Sequence, residues 1–263
     1  MALSNVMTGS VADREIPVIR RIGFQDIAAA LREGLDDFLA MPSHAFFLVI
    51  IYPVLGLVLG RVVYGTAVLP LLFPLMAGFA LLGPIAALGL YELSRRREQK
   101  LDTAAHHVLD IRHAPSFGAI IALGLLLMVI FLCWLATAQA IYVGTFGYAA
   151  AAAMPDFLNR VFTTPEGWTL IIMGNLVGFL FALLVLAISA VSFPLLLDRD
   201  VGAATAMLTS FKAVVANPGP MALWGLIVAV LLVLGTLPFF LGLAVVLPVL
   251  GHATWHLYRR VVV

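Results

Sequence analysis

The chain has 263 residues, 63% of them apolar and only 11% charged, with a mean hydropathy of +1.09. A soluble domain carries about 25% charged residues, so there is too little charge here to cover a water-soluble globule, and the composition is that of an integral membrane protein. A net charge of +1 excludes the basic face that nucleic-acid binding needs, and a single cysteine, Cys133, excludes a disulfide framework or a cysteine metal cluster.

In chain order, residues 1–23 form a polar tail without the apolar core of a secretory signal, and Asp13 and Glu15 spoil it as a transit peptide. Residues 24–41, "FQDIAAALREGLDDFLAM", place Phe24, Ile27, Leu31, Leu35, Phe38 and Leu39 at helical spacing with charges opposite, which predicts an amphipathic helix. Asp36 and Asp37 are expected to be solvated.

A membrane-crossing helix needs about 20 apolar residues. Four stretches qualify directly: Ala45–Val63, Ala67–Leu90, Phe117–Tyr142 and Trp168–Leu197. The next, Met221–Tyr258, carries no formal charge and is too long for one crossing. "GTLPFF" places Gly235 and Pro238 near its middle, where glycine opens a turn and proline breaks a helix. Two spans, 221–236 and 239–258, are therefore expected, giving an all-α, polytopic bundle of six spans within a single transmembrane domain, 24–263.

Excess Lys and Arg mark the cytoplasmic side of a membrane. Of the fifteen basic residues, all but Arg61 and Arg160 fall on the side that holds both chain ends. Both termini are expected in the cytoplasm, in a bacterial inner membrane, with the first span acting as insertion signal.

Three segments share a plan. Each starts at a proline (Pro42, Pro115, Pro218), continues through two spans, and closes with a proline late in the second (Pro84, Pro194, Pro248). The closing "PIAALGLYELSRR" aligns with "PVLGHATWHLYRR", pairing Tyr91 with Trp255, Glu92 with His256, and Arg95–Arg96 with Arg259–Arg260. Amphipathic segments precede the starts: 24–41, a shorter and more polar "AAHHVLDIRH", and "VGAATAMLTSFKAVVA" with Val201, Ala204, Leu208, Phe211 and Val215 in register. The expected unit is a cytoplasmic amphipathic helix followed by a transmembrane hairpin, three times over. Parallel repeats of this kind are arranged about an axis along the membrane normal.

Candidate chemistry is sparse. His252 and His256 are four residues apart, on one side of a helix, and are the metal candidates. Flanked by Trp255, Tyr258 and two arginines, they read as rim residues beside an interfacial aromatic belt. His44, His106, His107 and His113 fall on the same face of the membrane. A buried haem wants ligands projecting from different helices within the bundle, so no cofactor is expected. Gln139 and Asn175 are the candidate polar contacts, between helices or to a solute. No nucleophile–base pair, phosphate loop or carboxylate pair stands out, and the catalytic set is empty. The outer segment "YAAAAAMPDFLNRVFTTPEGW" offers Phe157, Leu158, Val161 and Phe162 as one side of a short helix on the membrane.

The stretches "DRDVGAATAMLTSFKAVVANPGPMALWG" and "LPVLGHATWHLYRR" are the most specific parts of a resemblance running from Ile19 to Arg260. The chain resembles a family of bacterial integral membrane proteins with no established activity, some labelled cytochrome c oxidase subunit I. That label would require about twelve spans and intramembrane histidines, which this sequence lacks. The resemblance implies a helical membrane fold. Three roles compete: an accessory, assembly or organising component of a membrane complex; a transporter for a small neutral or apolar solute; and a metal- or haem-associated rim protein. The first is the leading expectation, with lipid and other membrane subunits as partners and no enzymatic reaction.

Overall fold

The structure is a computed structural model that describes residues 17–41, 56–57, 60, 71–148, 154–238 and 241–263. All of the expected first span except residues 56, 57 and 60, together with His44 and the prolines at 42, 53 and 70, lies outside the described residues, as does the alanine run 149–153. Among the described residues the regular structure is helical, apart from one isolated antiparallel bridge between Ile19 and Val262. Among the described residues, three helical stretches are long and apolar enough to cross a membrane: Phe117–Phe146, Pro165–Asp198, which is broken near its end, and Pro218–Thr236.

The elements are α1 (Phe24–Ala40), α2 (Leu72–Leu81), α3 (Gly83–Ala86), α4 (Leu88–Glu98), a 3₁₀ segment (Ala105–His113), α5 (Phe117–Phe146), α6 (Met154–Thr163), α7 (Pro165–Ser189), α8 (Ser192–Asp198), α9 (Ala203–Ala216), α10 (Pro218–Thr236) and α11 (Leu243–Val261). Proline explains where several of them stop. The expected fourth span breaks between Ser189 and Ser192, because the ring of Pro194 clashes with the carbonyl four residues earlier and supplies no donor. The expected second span is likewise cut into α2, α3 and α4 around Pro84. The long run 221–258 divides after Thr236, at the Gly–Pro signal, whereas Pro248 is carried inside α11. The short polar segment before Pro115 winds as a 3₁₀ helix rather than an α-helix.

Contacts separate the chain into two compact units. The first comprises the described parts of 1–53, 84–124 and 186–263. Its core is formed by α4, α8 and α11: Leu88–Ser94 are buried without a break, as are Ser192–Leu197 and most of Leu250–Tyr258. Around them, α1 packs mainly on α11, the 3₁₀ segment on α4, and α9 on α8. The approach of α1 to α11 is close enough to require glycine, since a Cβ on Gly34 would stand 2.5 Å from the Ala253 backbone nitrogen.

Two details recur within this unit. Both α1 and α9 follow a glycine N-cap in extended conformation and end on a residue whose N–H reaches back to the carbonyls three and four positions earlier. Met41 does so at φ −129°, ψ 39°, and Asn217 at φ −132°, ψ 53°. Each helix is also preceded by an extended segment held by one side chain. Asn217 accepts the Ile22 N–H on Oδ1 (2.7 Å) and donates Nδ2–H to the Arg20 carbonyl (3.1 Å). Ser116 accepts the Val201 N–H on Oγ (2.8 Å), and its hydroxyl lies within donating reach of the Val201 (2.8 Å) and Arg199 (2.9 Å) carbonyls. The chain ends pair beside the first clamp: Arg20 N–H bonds the Val261 carbonyl at 2.8 Å and Val263 N–H bonds the Val18 carbonyl at 3.0 Å.

The second unit comprises the described parts of 54–83 and 125–185. Aromatic contacts hold it. Trp134 donates its indole N–H to the Pro74 carbonyl (2.8 Å), lies against Gly178 and meets the Phe181 ring at 5.6 Å. Tyr142, Phe146 and Phe157 form a second cluster, with the Arg160 guanidinium 4.7 Å from the Phe146 ring centre. Helix α6 is therefore split. Val161 is buried and Phe157 joins the cluster, while Leu158 and Phe162 face outward.

Candidate functional site

The polar interior of the first unit is where chemistry-bearing side chains meet. Helix α1 presents Asp37 on the face that packs against α11, ten residues after Ile27 and three after Gly34. The neighbouring α4 supplies Ser94, and α11 supplies His252 and His256 one turn apart. Asp37, expected to be solvated, is 3% exposed. It is buried because Ile27, Ala30 and Gly34 define the contact face and Asp37 continues it at helical spacing.

Asp37 is the shared acceptor. Ser94 donates its hydroxyl to Asp37 Oδ2 (2.5 Å), His256 Nε2 lies 2.8 Å from the same oxygen, and the Arg97 guanidinium bonds Oδ1. His256 Nδ1 lies 3.1 Å from Glu33 Oε2. The ring therefore lies between two carboxylates. Burial alone would raise the Asp37 pKa, but the bonds from His256, Ser94 and Arg97 outweigh it and hold the carboxyl below the usual range. The hydrogen bond from Arg260 does the same for Glu33, against a smaller opposing effect of burial.

His252 is fully buried, with Nδ1 2.7 Å from Ser94 Oγ. Because the Ser94 proton is directed at Asp37, Nδ1 must carry the proton it shares with Ser94. Its Nε2 has no hydrogen-bond partner among the described residues. Serine, histidine and aspartate thus come together in a way the sequence spacing did not reveal. The order of the bonds is nevertheless that of a structural relay: imidazole donates to hydroxyl, and hydroxyl to carboxylate. In this arrangement His252 cannot withdraw the Ser94 proton, which a nucleophile–base pair requires.

A cleft of about 440 Å³ opens beside this network, with Glu33, Asp37, Arg97, His256, Arg259 and Arg260 in its wall. Its cations are already matched. Arg260 forks onto Glu33 (2.6 and 2.9 Å), and Arg259 bonds Glu98 (3.0 Å). Trp255 and Tyr258, expected as an interfacial belt, are buried and tethered: Trp255 Nε1 donates to Glu98 (3.0 Å) and Tyr258 donates to Asp198 (2.6 Å). A second cleft of about 390 Å³ contains Glu92, which is 1% exposed and held by Arg95 at 2.7 and 2.8 Å.

As metal candidates, His252 and His256 both address Asp37, from 3.9 Å (Nδ1) and 2.8 Å (Nε2), each through a nitrogen engaged in a protein contact. The described residues whose ligand atoms do converge are Asp102, His106 and His107. There His107 is bonded through both nitrogens, to Asp110 (2.6 Å) and Asp102 (3.1 Å). Gln139 and Asn175 are exposed on their own helices, and Asn175 donates to the Ile171 carbonyl one turn back at 2.8 Å.

Comparison with known proteins agrees with this picture at the level of class. Residues 71–198 match the family described as "Predicted integral membrane protein (DUF2189)", a domain of unknown function. Neither the curated proteins nor the solved structures include a match to this chain.

Proposed function

We propose that this chain, whose residues 71–198 match a family of integral membrane proteins, is a multi-pass protein of the bacterial inner membrane that organises or assists a larger membrane complex. On this reading it is built from three repeated hairpins, with six spans and both ends in the cytoplasm. The packing order supports the repeat. Each amphipathic segment lies on the closing helix of the preceding copy: the 3₁₀ segment on α4, α9 on α8, and α1 on α11, which returns from the third copy to the first. The clamps follow the same order, since Ser116 of the second copy holds the segment before α9 and Asn217 of the third holds the segment before α1.

The observation that carries the organising role is a contrast in saturation. Within the polar network cations and carboxylates satisfy one another, leaving little charge to recruit a substrate. The membrane-capable helices, by contrast, keep broad apolar faces open, and only 17% of the apolar window in α10 is buried. On α7, Gly174 has open space around it between exposed Met173 and Leu176, a small-residue surface suited to close approach by another helix. Purification from native membranes in mild detergent, followed by mass spectrometry, should recover stoichiometric membrane-protein partners. Recovery of the chain alone, at the mass of a monomer, would refute the role.

A further inference from the structure

Helices α1 and α9 each expose an apolar stripe that is not their packing face. In α1 the buried residues are Ile27, Ala30, Gly34 and Asp37, while Phe24 (61%) and Leu39 (64%) stand exposed in line with Ala28 and Leu35. At about 100° per residue the stripe lies about a quarter-turn or more from the buried face. Gln25, Arg32 and Asp36 occupy the third side, also exposed. Helix α9 repeats the arrangement. Ala203, Ala206, Ser210 and Ala213 are inside, and Ala204, Leu208, Phe211 and Val215 are outside, with Lys212 beyond them. Counting back from Pro42 and Pro218, Ala28, Leu35 and Leu39 coincide with Ala204, Phe211 and Val215.

We propose that these two stripes are seated in the bilayer itself, at the boundary between headgroups and acyl chains, as a pair of interfacial feet at the mouth of α10. Two observations select lipid over a protein partner. The stripes are continuous with a membrane-capable surface: α9 runs through Asn217 directly into α10, and the Phe24 ring of α1 lies 3.6 Å from the Cβ position of Gly219 in the first turn of α10. Helix α10 itself exposes Leu226, Val230 and Val233. Each helix also has the three-sided section that an interfacial helix on a membrane protein requires: one side to protein, one to acyl chains, and one polar side to water. Such helices sink about 5–10 Å into the boundary region, a depth from which Arg32 and Lys212 can extend their charges to water. The proposal needs only that α10 crosses the bilayer, and it stands or falls apart from the organising role.

The test uses the full chain with Cys133→Ala, reconstituted in phosphatidylethanolamine–phosphatidylglycerol vesicles. Single cysteines carrying nitroxides replace Ala28, Leu35, Leu39, Ala204, Phe211 and Val215, and, as controls, Arg32, Asp36 and Lys212. All are exposed, so labelling leaves the core intact. The expected result is oxygen collision several-fold above collision with a water-soluble nickel chelate at the stripe sites, and the reverse at the controls. Nickel collision at the stripes equal to that at the controls would place them in water. Exclusion of both relaxers would place them under protein. Either result overturns the proposal.

Discussion

The two compact units solve the problem of burial in opposite ways. In the first, a carboxylate, a hydroxyl and two imidazoles are packed among α1, α4 and α11, and the arrangement holds because nearly every donor has an acceptor. In the second, Trp134 and the Tyr142–Phe146–Phe157 cluster dominate, and hydroxyls such as Thr137 bond within their own helix, here to the Cys133 carbonyl. A polar network that is fully satisfied fixes one packing arrangement, and a single missing partner is costly. An aromatic cluster tolerates small losses more evenly. Substitutions in the first unit should therefore give large, all-or-none effects, and those in the second graded ones.

The sharpest way to break the contrast is Asp37→Ala. It leaves Ser94, His256 and Arg97 without their common acceptor, and losing one member of a buried ionic set costs about 3 kcal/mol or more. Thermal unfolding in detergent should shift far downward, and a shift no larger than that of an exposed control would show the network to be incidental. Acid probes the same group. The folded-state pKa of Asp37 is depressed, so its contribution is present above the ordinary carboxylate range and is lost as pH falls through the folded value. Stability of the parent should decline below about pH 4, with Glu33 contributing in the same direction. In Asp37→Asn that decline should be shallower, because the Asp37 share is removed while those of other carboxyls, Glu33 among them, remain; an identical acid profile would remove Asp37 from the account. The charged and titratable groups facing Asp37 across these helices are Glu33, Arg97, His252 and His256, all retained in that variant.

Next in size is a pair of glycines. Gly34→Ala would drive a methyl group against the Ala253 backbone, which cannot move aside as a flexible side chain would, at a cost of about 2 kcal/mol. Gly174→Ala meets open space and should be neutral or stabilise by up to about 1 kcal/mol through helix propensity. Equal melting shifts for the two would mean that the α1–α11 approach is looser than the structure has it.

Much of this architecture was legible in the sequence. Apolar runs located the three membrane-capable helices, and the Gly–Pro signal located the division of 221–258, because both depend on local composition. The proline-induced break before α8 was also local, yet hydropathy masked it: Ser189–Leu197 is apolar enough to pass as the end of one span. The candidate site was only half visible. His252 and His256 stood out by spacing, but their partner Asp37 lies more than 200 positions away, and its burial depends on which side of α1 meets α11. The apolar pattern of α1 comprised Phe24, Ile27, Leu31, Leu35, Phe38 and Leu39, of which Ile27 is buried while Phe24, Leu35 and Leu39 are exposed. The structure turns instead to the small residues, since only Ala30 and Gly34 allow so close an approach. A small-residue stripe beside an acidic residue was the available signal. Ser94, lost among arginines, carried none.

The second unit's graded response can be measured at Trp134→Phe. The substitution keeps an aromatic side chain at this position, but it withdraws the far edge of the indole from Gly178 and removes the N–H that bonds the Pro74 carbonyl. Pro74 lies within α2, and its carbonyl accepts this bond at 2.8 Å. Losing one neutral hydrogen bond costs about 1 kcal/mol, and because Trp134 is buried, the smaller ring also leaves a void that adds to the loss. The melting shift should stay clearly below that for Asp37→Ala. A shift equal to that of Asp37→Ala would mean that the second unit, too, depends on a polar bond for its packing, and the contrast between the units would fail.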